Sequence, residues 1–128
     1  DGHLAPHEWV RTRSGSTYKT DIGGHEVDHT WTGAQPVLWD LAGALEEWDL
    51  HGSKEAALLQ GYRDAGGAPV DAASLRTYRT AYAAHRVGQS SFFLASEPDS
   101  AERERLRTAA DRWSAALARN VSAPLHRL

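Results

Sequence analysis

The sequence predicts an α+β fold that is mostly helical, a small β-hairpin followed by about four helices. Three observations carry this. Two short runs of aromatic and β-branched residues flank Ser14-Gly15, the pattern of a hairpin with a turn that tolerates positive φ. From Pro36 onward, apolar residues recur at three- and four-residue spacing, the mark of helices with one buried stripe. Clusters of Gly, Pro, Ser and Asp interrupt that spacing and divide it into separate elements.

The strands are Trp9-Val10-Arg11-Thr12 and Thr17-Tyr18-Lys19-Thr20. With Ser14-Gly15 as a two-residue loop, Arg13 pairs with Ser16 and, counting outward, Glu8 lies opposite Asp21. Directly opposed side chains sit about 5 Å apart at Cβ. Two carboxylates that close repel, so a shared divalent cation or a shared proton is the natural resolution. The alternative is a frayed hairpin end carrying two solvated acids.

The first helix begins after Pro36 and buries Val37, Leu38, Leu41, Ala42, Leu45 and Trp48 until His51-Gly52 ends it. Ser53 caps a second, with Ala57, Leu58 and Tyr62 facing inward, broken by Gly66-Gly67-Ala68-Pro69. Asp71 caps a third and longer helix through Leu75, Tyr78, Tyr82 and Val87, extending to Phe92, Phe93 and Leu94. Ser96-Glu97-Pro98-Asp99 is a loop. A fourth helix carries Leu106, Ala110, Trp113, Leu117 and Val121 on one face and charged residues on the other. Trp9, Trp39, Trp48 and Trp113 fall on stripe positions and read as core. His51, His85 and His126 read as surface or cap residues. The chain is expected to be one domain over 1–128, with loop, hairpin and insert in 1–35 and a helical subdomain in 36–128. A lone hairpin is marginal in water, so it packs on the helices or on strands supplied elsewhere.

Composition narrows the function classes. Hydrophobic residues make up 41% and charged residues 24% of 128, values that suit a packed globular core. The net charge of −3, with Lys and Arg scattered, leaves no basic face for nucleic acid. No apolar run is long enough to span a bilayer. Without cysteine there are no disulfides or thiolate metal sites, which suits a cytoplasmic protein. There is no methionine, even at the first position, which points to a piece of a longer protein or a processed product.

Four segments in order resemble the C-terminal lobe of aminoglycoside-phosphotransferase and choline-kinase-like enzymes. The family's catalytic loop reads approximately His-Gly-Asp-Leu-x-Pro-x-Asn, followed by two apolar residues. Asp1-Gly2-His3-Leu4-Ala5-Pro6-His7-Glu8-Trp9-Val10 keeps Gly, Leu, Pro and the apolar pair in register. Lys19-Thr20-Asp21-Ile22-Gly23 stands where the family carries an Asp-Phe-Gly-like segment. Gln35-Pro36-Val37-Leu38-Trp39-Asp40-Leu41-Ala42 is similar to a family stretch of the form Asp-Pro-x-x-Tyr-Asp-Leu-Ala. Gly61-Tyr62-Arg63, Gly66-Gly67, Val70-Asp71 and Leu75-Arg76-Thr77-Tyr78-Arg79 resemble its helical subdomain.

The resemblance implies a kinase-like C-terminal lobe whose partner, an N-terminal lobe with a Gly-rich loop and a phosphate-contacting lysine, is absent from this chain. Lys19, inside the hairpin, cannot take that lysine's part. The implied reaction, in the intact protein, is transfer of the ATP γ-phosphoryl group to a hydroxyl of a small molecule. In such kinases a loop Asp handles the substrate proton, while the Asn and the later Asp hold magnesium. By position, Glu8 and Asp21 take the magnesium and nucleotide-phosphate role, and His3 stands at the proton-handling position. Histidine serves as a general base near neutral pH, and Asp1 is the nearest acid. Asp40 takes a structural role, accepting hydrogen bonds from the catalytic loop. ATP and Mg2+ are the implied cofactors, and neither is expected to bind well to this chain alone.

The departure at His3 keeps a catalytically inactive binding or regulatory module open. A third reading comes from the insert after Asp21. His25 and His29 are four apart with Asp28 between them, a spacing that on a helix brings two imidazoles and a carboxylate to one zinc ion and makes a metal-dependent hydrolase. The neighbouring Gly23, Gly24, Thr30, Thr32 and Gly33 argue for a loop instead, placing His25, Asp28, His29 and Trp31 where they contact an acceptor substrate.

Overall fold

The computed structural model describes residues 4–20, 35–97 and 99–122. The α+β architecture is as the sequence predicts: a 3-10 turn (Pro6–Glu8), then β1 (Trp9–Arg11) and β2 (Thr17–Lys19), then four helices. These are α1 (Val37–Glu47), α2 (Ser53–Asp64), α3 (Ala72–Ser96) and α4 (Ser100–Ser122). The chain divides into two units, Asp1–Asp71 and Ala72–Leu128, and each has its own logic.

The hairpin register differs from the sequence expectation by one residue. Trp9 pairs with Lys19, Val10 with Tyr18 and Arg11 with Thr17. The cause is the loop. Thr12 N–H donates to Ser16 O at 2.8 Å, and Gly15 N–H to Thr12 O at 3.0 Å. Three residues, Arg13-Ser14-Gly15, therefore turn the chain, with Gly15 at φ +90°. That is the three-residue loop in which a glycine takes the left-handed position, rather than a two-residue turn. Thr12 Oγ1 adds contacts to Ser14 Oγ at 2.8 Å and Ser16 O at 3.2 Å. A one-residue shift in register changes which side chains share a face.

α1 is more enclosed than one apolar stripe would require. Every residue from Leu41 to Glu47 is buried, Glu46 and Glu47 included. The run Ala42-Gly43-Ala44 is small on all sides, so neighbouring chain can approach closely. Val37 and Trp48, expected in the stripe, are exposed. The helix also stops earlier than His51-Gly52. Asp49 adopts φ 51°, and Leu50 N–H reaches back to Leu45 O at 2.8 Å. This six-to-one closure usually uses glycine, and Asp is among the few other residues that tolerate it. Gly52 precedes α2 in the N-cap position, so Ser53 is inside the helix and makes no side-chain cap.

No residue of α2 is buried; Leu58 and Tyr62 are half-covered and Ala57 is exposed. Its end is a Schellman turn: Gly67 N–H donates to Tyr62 O at 3.0 Å and Gly66 N–H to Arg63 O at 2.9 Å, with Gly66 at φ +89°. A Cβ built on Gly67 would fall inside contact distance of the Tyr62 ring, so this glycine gives the ring its place. Gly66→Ala should cost about 1 kcal/mol through backbone strain alone, read as a lower urea midpoint with unchanged slope.

In the second unit α3 and α4 pack on each other as an antiparallel pair joined by a short connection. Asp99 caps α4, its Oδ1 accepting from Glu102 N–H at 2.9 Å. The core consists of Leu75, Tyr82 and Ala83 against Leu106, Trp113 and Ala116, all buried. Leu75 and Tyr82 are seven apart, as are Leu106 and Trp113, the period of a packed helical seam. Val121, expected on that face, is exposed. His85, expected at the surface, is half-buried with its Nε2 enclosed. On the outer face Arg105 draws the Glu102 carboxyl below its usual range through a side-chain hydrogen bond. Both side chains remain open to solvent, so the pair contributes little to folding.

Candidate functional site

The segment that carries the candidate site is anchored at both ends. Ahead of the 3-10 turn, Ala5 is buried at 1% exposure, and Leu4 O accepts a 2.8 Å hydrogen bond from Trp48 Nε1. Pro6 opens the turn, where its fixed φ costs nothing and its missing N–H is not needed. Glu8 N–H closes it on Ala5 O at 3.0 Å. Behind the turn, Glu8 O accepts from both Thr20 N–H at 2.8 Å and Thr20 Oγ1 at 3.0 Å. The Glu8 backbone is thus pinned at the root of the hairpin. Trp48→Phe should free the Leu4 carbonyl at a cost of about 1 kcal/mol, with faster hydrogen exchange at the Glu8 amide as the specific readout.

The register decides what the Glu8 side chain meets. Thr20, not Asp21, stands across the hairpin from Glu8. Glu8 itself is 5% exposed. Its Oε2 lies 3.1 Å from Lys19 Nζ, whose side chain is only 11% exposed. Charge proximity rather than aligned hydrogen-bond geometry defines this contact. Trp9, directly opposite Lys19 on the same face, is half-buried. The other hairpin face presents Val10 and Tyr18 to solvent.

This corrects the expected register at Glu8; Asp21, its expected partner at a shared ion, lies outside the described residues. An ammonium stands against the Glu8 carboxylate where the sequence reading put a metal. Among the described residues, no group of three or more His, Asp or Glu side chains could hold a metal ion. Magnesium needs oxygen ligands at about 2.0–2.1 Å, and the second acid assigned to it, Asp21, lies outside the described residues. Asp40 lies in the first turn of α1, half-buried. Asp1, His3, Asp21, His25, Asp28, His29 and Trp31 lie outside the described residues, and with them the hydrolase reading.

Lys19 is the residue that sequence reasoning missed. A lysine at a strand position that faces a tryptophan is almost never buried unless paired, and that rule, applied to Lys19, asks for an acid nearby. Comparison with protein-family models, with curated proteins and with solved structures finds no match for this chain. Among the described residues no helix is long and apolar enough to cross a membrane.

Proposed function

We propose that this chain is the helical lobe of a divergent small-molecule phosphotransferase, the intact protein transferring the γ-phosphoryl group of ATP to a substrate hydroxyl. The observation that carries the reading is the ordered likeness from Gly2 to Tyr78. The element order agrees with it: a proline-started turn, a hairpin, then a helix whose first turn holds Asp40. In this reading His3 handles the substrate proton, Asp1 is the nearest alternative acid, and Asp40 steadies the loop. ATP and magnesium are cofactors of the intact protein, and Asp21 is the acid that the resemblance leaves for the metal once Glu8 is held by Lys19. His25, Asp28, His29 and Trp31 then belong to the acceptor side. An N-terminal lobe or partner chain supplies the phosphate-binding loop, and a cytoplasmic setting goes with the use of ATP.

The second reading, an inactive module that binds without turnover, is favoured by one observation: the Glu8 carboxylate is neutralised from within the hairpin. Incubating the intact protein with γ-labelled ATP and a panel of aminoglycosides and amino alcohols separates the two. Label transfer to an acceptor, lost in His3→Ala, is the expected result. ATP binding without transfer would favour the inactive module, and neither binding nor transfer would remove both.

A further inference from the structure

We draw no further inference here: the strongest candidate, the exposed outer face of α3 that carries Ala81, Ala84, Gly88 and Phe92, is a surface of small and apolar residues, and nothing in the structure shows what covers it.

Discussion

Trp113→Ala should destabilise the α3–α4 unit by about 3–5 kcal/mol, the range for deleting a fully buried aromatic. Trp113 is 1% exposed. The Tyr82 ring meets it edge-on with centroids 6.0 Å apart. Two guanidiniums approach its ring, Arg86 of α3 at 5.0 Å and Arg112 of α4 at 4.6 Å. Cations over a tryptophan face add about 0.5–1 kcal/mol at sites open to water, so the loss goes beyond apolar area. Arg86 is further fixed by donating to Gln89 Oε1 at 2.6 Å. Trp113→Phe keeps most of the volume and should cost roughly half as much. Val121→Ala, at 67% exposure, should stay within about 0.5 kcal/mol of wild type. Urea unfolding followed by far-UV circular dichroism orders the three. If Trp113→Ala and Val121→Ala fall together, Trp113 is not the centre of this core.

Lys19→Met should cost about 3 kcal/mol, because it removes the ammonium 3.1 Å from the Glu8 carboxylate in a place with little water. The size separates two pictures of the hairpin root. An exposed pair would lose at most about 1 kcal/mol, whereas a buried carboxylate without its cation loses several times that. Adding Glu8→Gln to Lys19→Met removes the buried negative charge and should return part of the stability. The double-mutant cycle therefore yields a coupling energy above about 1 kcal/mol. A near-zero coupling would mean that the two groups, although 3.1 Å apart, are each solvated on their own.

How far the sequence carries depends on which physics sets each element. Periodicity and breakers place all four helices, because α1 to α4 follow apolar spacing that Pro36, Gly66-Gly67 and Asp99 punctuate. Helix ends are less legible. Asp49 in the left-handed region closes α1 before Gly52 is reached, and nothing in local composition marks an aspartate for that part. Burial of Trp48 and Val121 was not legible either, since a stripe position says which face a residue takes and not how far the partner surface extends. The site turned on a single residue of loop length. Ser14-Gly15 announces a turn, but whether the loop holds two residues or three depends on Thr12 bonding Ser16. That choice sets Thr20 across the hairpin from Glu8.

The most direct measurement is the set of cross-strand NOEs in the hairpin of the isotope-labelled chain. Contacts joining Val10 with Tyr18 and Trp9 with Lys19 are expected, together with a slowly exchanging Thr20 amide. Contacts joining Val10 with Lys19 and Trp9 with Thr20 would contradict that register, restoring the two-residue loop and returning Glu8 to Asp21.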